Sequence, residues 1–423
     1  MIDELDGTDN TARWRALRAT DLDQEQNSRE ELNAVRALSP LFFYFVSAGV
    51  VTVMLGPLLP TLIQRWQIRD AQAGTLFLAS FLGQLCGSWV AARNPKASVV
   101  YGAALTAAGC LALAWVAYSV AHLALFATGF GLGTGITAGN IIAGTMLPAS
   151  RGRLLSVLNV AWSLGAVACP LLIRFTASSG MQPFLYLAAA CLAVSSLICM
   201  AIPPAAYPAT VSAKNPRLLL ARKLPRNSTR FTLPLSPRPL LVFCAAMFLY
   251  IGIENSLGGW LPSYALRTHS SLHAPSIAFL FWTAELAGRL LVVALISALS
   301  ERALYRLCLT SLVCMEVLLC TVPHPSAGSV VLLTVFAAFS LAPVYPLILS
   351  FLLARTGNHA HLGIFFAIAS CGGAILPWLT GVFSTHLHGL RAGLIVPAVA
   401  ACLLLALSST VTATLPVEIE VES

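Results

Sequence analysis

Three carboxylates, Glu254, Glu285 and Glu316, fall inside long apolar runs, and one guanidinium, Arg289, follows Glu285 by four residues. A carboxylate in hydrocarbon is costly, so it ordinarily faces a water-filled cavity or a partner. Acid and base at i and i+4 share one helix face, and acid before base is the order that helix electrostatics favour. Glu285 and Arg289 therefore admit two readings. One is a fixed salt bridge with Arg289 reaching toward the membrane surface. The other is a charge pair whose rearrangement or protonation accompanies a change of state. Glu254 precedes the pair Gly258-Gly259 by about one turn, where the helix is expected to bend around an aqueous path, and it is the leading coupling group. Glu316 falls in a helix expected to brace the bundle from outside, which suits packing or an interhelical hydrogen bond.

The neutral polar residues expected to bind substrate are Gln84, Asn140, Asn159 and Trp162 in the first half of the chain, with Asn255, Trp282 and Tyr345 in the second. Amides hydrogen-bond hydroxyls, and aromatic faces stack on the apolar faces of sugars. Other chemistries have little to work with. No Ser-His-Asp arrangement and no phosphate-cradling G-x-x-x-x-G-K-[ST] loop is present, so no enzyme is expected. His269 with His273, and His386 with His388, have spacings a metal could use but sit in expected loops as solvated side chains, so no metal site is expected. The eleven cysteines lie in apolar runs without a C-x-x-C and read as small filler. No cofactor is expected beyond coupling to protons or another ion.

These residues have to be held by membrane helices. Hydrophobic residues make up 57% of the chain and charged residues 10%, too little polar material to cover a water-soluble globule of 423 residues. At about 20 residues per crossing, Ser39 to Leu415 holds about twelve spans. Their expected positions are 39–64, 73–92, 97–117, 120–146, 154–177 and 181–202, then 238–266, 275–298, 303–322, 327–354, 361–385 and 390–414. The organisation is thus a cytoplasmic N-terminal tail over 1–38, a six-helix bundle over 39–202 and a basic cytoplasmic linker over 203–237. A second six-helix bundle over 238–414 and a short acidic tail over 415–423 complete it. The fold class is all-α, with two pseudo-symmetric six-helix bundles.

Charge placement agrees with an even number of spans. With both termini in the cytoplasm, the loops on that side collect 19 of the 25 Lys and Arg and the opposite loops five, as expected where short cytoplasmic loops retain positive charge. Basic residues do not cluster with aromatics, which leaves no basis for nucleic-acid binding. The first apolar run lacks a small-residue cleavage pattern after it, so its helix is expected to stay in the mature protein.

The chain also repeats itself. Leu55-Gly56-Pro57-Leu58-Leu59-Pro60 is echoed by Leu257-Gly258-Gly259-Trp260-Leu261-Pro262, and Gly165, Pro170 and Leu172 by Gly372, Pro377 and Leu379. The copies fall in the first and fifth helices of each half. Duplicated units related along the membrane normal are the architecture of alternating-access carriers, with a site near the midplane between the halves.

The motifs resemble the major facilitator superfamily, and within it the fucose/proton symporter-like branch of hexose and fucose permeases. The likeness rests on Gly131-Leu132-Gly133 leading to Asn140, Leu158-Asn159 leading to Gly165, Phe248 through Glu254 followed by Gly259-Trp260-Leu261, Ala342-Pro343-Val344-Tyr345-Pro346, and Gly372 through Trp378. It implies twelve helices and transport of a sugar by symport. Two departures qualify it. The loop spanning Gly87 to Lys96 lacks the family's acid, and Gly56 and Ile136 stand where that branch places proton-handling carboxylates. The expectation is a monomeric secondary or facilitative transporter in the plasma (inner) membrane, moving a small polar solute, with the lipid bilayer as its other partner. The alternatives are an exporter of amphipathic, drug-like compounds and a non-transporting receptor or scaffold.

Overall fold

The computed structural model describes residues 38–146, 151–202, 237–295, 299–356 and 362–413, and among them every regular element is helical. Apart from Leu38 and Pro237 at their edges, the expected N-terminal tail, basic linker and acidic tail lie outside the described residues.

In the first half, α1 (Ser39–Val53) and α2 (Leu55–Trp66) form one span bent by 42°, followed by α3 (Asp70–Val90), α4 (Pro95–Trp115), α5 (Tyr118–Met146), α6 (Arg151–Thr176) and α7 (Gln182–Cys199). In the second, α8 (Pro237–Thr268), α9 (Ala274–Leu295) and α10 (Glu301–Thr321) precede α11 (Ala327–Leu341) and α12 (Val344–Thr356). The chain closes with α13 (Leu362–His386), α14 (Leu390–Gly393) and α15 (Ile395–Thr412). Ten described helical stretches are long and apolar enough to cross a membrane, and the bent α1–α2 pair makes eleven. The 25-residue α13 fills the remaining place in a twelve-span arrangement.

Prolines set the breaks. Pro57 has no N–H for the carbonyl of Val53, and its ring crowds that carbonyl, so α1 ends at Val53. Pro397 does the same to Gly393, the last residue of α14. α8 is continuously helical through Gly258-Gly259, the pair at which the sequence places a bend, and the position matching Pro57 in the repeat is Gly259, which keeps its N–H.

The glycines serve close packing instead. Lipid tails are as apolar as leucine, so membrane helices associate through small residues that let backbones approach. A Cβ at Gly165 would stand 2.0 Å from the carbonyl oxygen of Val46, and one at Gly372 would stand 1.9 Å from that of Phe248. Those contacts are α6 on α1 and α13 on α8, equivalent helices in the two halves. The two repeated L-G-x-x-L-P segments meet across the half boundary, where a Cβ at Gly56 would lie 2.3 Å from the carbonyl oxygen of Gly258. Pro262 leaves that same carbonyl without its helical donor.

Pairing between helices is repeated as well. α1 packs on α6 and α7 as α8 packs on α13 and α15, and α5 covers α3 and α4 as α11 covers α9 and α10. The halves join through α3 on α13, α6 on α9 and α2 on α8. Trp89, Tyr101, Trp115 and Phe175 stand exposed near helix ends, the positions of aromatic belts at the two membrane surfaces.

Candidate functional site

Charges gather at the middle of the bundle, where α8 and α9 face α6. Burial decides the geometry. Glu254, Glu285 and Glu316 are 6%, 1% and 1% exposed, so each needs a partner within the protein. Arg289, one turn after Glu285 on α9, extends inward rather than to the membrane surface. Its Nη2 donates to Glu254 Oε1 at 2.8 Å and to Glu285 Oε1. Its Nη1 donates across the half boundary to Ser163 Oγ on α6 at 2.9 Å. Ser163 in turn donates to the carbonyl of Asn159 at 3.0 Å, so its proton is committed and its oxygen faces Arg289 as an acceptor.

Aromatic side chains enclose this cluster. The Tyr250 hydroxyl, one turn before Glu254, donates to Glu254 Oε1 at 2.8 Å, and its ring lies 5.6 Å from that of Tyr345. The guanidinium of Arg289 sits 5.7 Å from the Trp162 ring, within the range of a cation–π attraction. Trp162 meets Trp282 edge to face at 6.0 Å, and its indole N–H points to Thr52 Oγ1 at 3.4 Å. Trp282 is held by Phe281 at 5.1 Å and by Gly258, where a Cβ would come within 2.8 Å of its ring.

Two carboxylates share one guanidinium, so the ionised cluster carries a net negative charge that a proton or a cation can balance. Glu285 Oε2, Arg289 Nε and Trp282 Nε1 are buried without partners among the described residues. The site thus holds an unused acceptor beside two unused donors.

The structure brings together Glu254, Glu285, Arg289, Trp162, Trp282 and Tyr345 from the residues singled out in the sequence. It leaves others aside. Asn255 donates to the Ile251 carbonyl of its own helix at 2.8 Å. Gln84 on α3 and Asn140 on α5 are half-buried, and Asn159 is exposed on α6, one turn from Ser163. Neither oxygen of Glu316 finds a partner among the described residues. His269 Nε2 contacts the Pro325 carbonyl at 2.6 Å, and no cluster of metal-ligating side chains occurs among the described residues. Sequence reasoning missed Ser163, Tyr250 and Thr52. Tyr250 was within reach, lying four residues before Glu254 on the same face; Ser163 and Thr52 gain meaning only once α6, α1 and α9 are placed.

Comparison with known proteins follows the same lines. The yeast "Bypass of stop codon protein 6" of Saccharomyces cerevisiae is 25% identical over 384 residues, covering 82% of this chain and 76% of that one. Among solved structures, a peptide transporter in complex with sulfate aligns with a TM-score of 0.69 at 16% identity over 88% of this chain and 94% of that one. The nucleoside transporter NupG aligns at 0.67 and 13% identity, over 90% of this chain and all of that one. A bacterial homologue of the human lysosomal transporter Spinster, inward-facing and occupied, aligns at 0.64 and 14% identity, over 91% of this chain and 97% of that one. These likenesses establish the fold. The profile of the Major Facilitator Superfamily matches residues 41–361, and the chain, a multi-pass integral membrane protein, belongs to that family of transporters.

Proposed function

We propose that the protein is a secondary carrier that moves a small polar solute, a sugar in the first instance, by alternating access about a central midplane site. Glu254, Glu285 and Arg289 couple that movement to a proton or another ion. The observation that carries this reading is the position of Arg289, which clasps two carboxylates of the second half and Ser163 of the first. A group tied to both halves changes its partners when the halves move, and uneven charge makes those partners sensitive to a proton or cation. The unused donors and acceptor match the mixed donor and acceptor character of hydroxyls, and the Trp162 and Tyr345 rings offer faces for a sugar. Resemblance to the fucose/proton symporter-like branch favours symport, with coupling through the second half because Gly56 and Ile136 carry no charge. The bias of Lys and Arg favours both termini in the cytoplasm.

Uptake of labelled hexoses into proteoliposomes, with and without a pH gradient, tests this. Saturable uptake that rises with the gradient and is lost in Glu254→Gln is expected. No saturable flux for any monosaccharide sinks the sugar assignment. The ring cluster of Trp162, Trp282 and Phe281 supports a second reading, export of amphipathic compounds. That reading predicts altered drug sensitivity when the gene is deleted.

A further inference from the structure

Away from the central cluster, three helices from both halves converge at one end of the bundle. Asp70 is the first residue of α3, Arg267 lies in the last turn of α8, and Ser384 and Thr385 lie in the last turn of α13. Arg267 grips Asp70 with two parallel bonds, Nη1 to Oδ2 and Nη2 to Oδ1, each 2.7 Å, the strongest geometry for such a pair. Ser384 Oγ donates to the same Oδ2. The next backbone N–H, that of Ala71, donates to Thr385 Oγ1 at 2.8 Å, so the start of α3 is capped by a residue of the other half. Each charge also sits at the helix end that its sign favours.

Close packing backs the contact. A Cβ at Gly381 would lie 2.4 Å from the Asp70 carbonyl oxygen, and the Trp260 indole N–H donates to the Pro377 carbonyl at 2.9 Å. Toward the opposite end, Asn159 is exposed on the same face of α6 where Ser163, one turn nearer the Asp70 end, is buried against Arg289. The two halves are therefore joined through side chains and close backbone packing at the Asp70 end.

We infer that Asp70, Arg267, Ser384 and Thr385 form a latch that holds this end of the carrier closed and has to part for the site to open there. The latch rests on the alternating-access reading, but its test does not require a substrate. Ala73, fully buried one turn inside Asp70, gives a reporter position as Ala73→Cys. A membrane-impermeant maleimide is applied to intact cells and, separately, to inside-out vesicles. With the latch intact, labelling at position 73 over the background of the native cysteines is slow from both sides.

Asp70→Asn and Arg267→Gln, each made in the reporter chain, raise the rate roughly three- to tenfold from one side, and the side that responds identifies the membrane face of the latch. The double variant labels no faster than the faster single, because both remove one interaction. Ser384→Ala, which removes a single hydrogen bond, gives a smaller rise and remains informative if either charge variant misfolds. An unchanged rate in all three single variants overturns the latch, as does multiplication of the two charge effects in the double. Flat labelling with hexose uptake intact sinks the latch alone, whereas a labelling response without any hexose flux sinks the sugar reading alone.

Discussion

Arg289→Met tests the charge balance of the site directly. Methionine keeps an unbranched apolar stem but removes both donors, leaving Glu254 with Tyr250 and Glu285 with no donor in the cluster. Taking one member from a buried ion pair costs about 3–5 kcal/mol, because the remaining charge stays desolvated. The Arg289 side chain is 22% exposed, which places the cost near the lower end, about 3 kcal/mol. The loss falls mainly on Glu285, the most enclosed carboxylate of the cluster. Adding Glu285→Gln then removes the stranded charge while keeping the shape, and the double variant should regain about 2 kcal/mol over Arg289→Met alone. Thermal unfolding in detergent is the assay. Arg289→Met should melt several degrees below the parent and the double variant should recover about two thirds of the difference. A double variant that melts lower than Arg289→Met, by the sum of the two separate losses, refutes the charge-balance argument.

Ser163→Ala removes the acceptor that the first half offers Arg289; with a hydrogen bond to a charged group worth about 1.5–3 kcal/mol, the melting temperature should fall by a few degrees and solute flux should fall with it. Gly165→Ala and Gly372→Ala each put a Cβ within 2.0 Å of a carbonyl oxygen, and each should lower thermal stability by about 1–3 kcal/mol or more. Similar losses at the two sites are expected from the duplicated packing, and free tolerance at either contradicts it. Glu316→Leu replaces an unpartnered buried carboxylate with an apolar side chain of similar size and should raise the melting temperature, and unchanged uptake would confirm that Glu316 lies off the path.

The sequence made legible whatever depends on order along one helix. Apolar run lengths placed the spans, and the four-residue spacing of Glu285 and Arg289 put them on one face. The same arithmetic could not bring Glu254 to them, since helical period fixes which face a residue occupies but not which face of another helix it meets. Asp70 and Arg267, separated by most of the first half and all of the linker, escaped notice for that reason. A signal existed nonetheless. They are charges of opposite sign at a helix start and a helix end on the same side of the expected membrane. At Gly258-Gly259 the sequence shows the glycines first, but what interrupts the hydrogen-bond ladder there is Pro262, which strips the donor from the Gly258 carbonyl four residues back.

Duplication explains why the chemistry sits where it does. The offset that aligns Leu55 with Leu257 also aligns Val46 with Phe248, whose carbonyls receive Gly165 and Gly372. Carried to the polar positions, it aligns Thr52 with Glu254. Both accept from an aromatic or cationic donor at the half boundary, Thr52 from the Trp162 indole and Glu254 from Arg289. The two halves therefore keep one scaffold and divide the work. The first supplies a hydroxyl, an indole and the Ser163 acceptor, all uncharged. The second supplies every charge in the cluster. Under the proposed coupling through the second half no carboxylate is required in the first, and Thr52→Ala should weaken the seating of Trp162 without changing any ion dependence of transport. Loss of that dependence in Thr52→Ala would show that coupling runs through both halves after all.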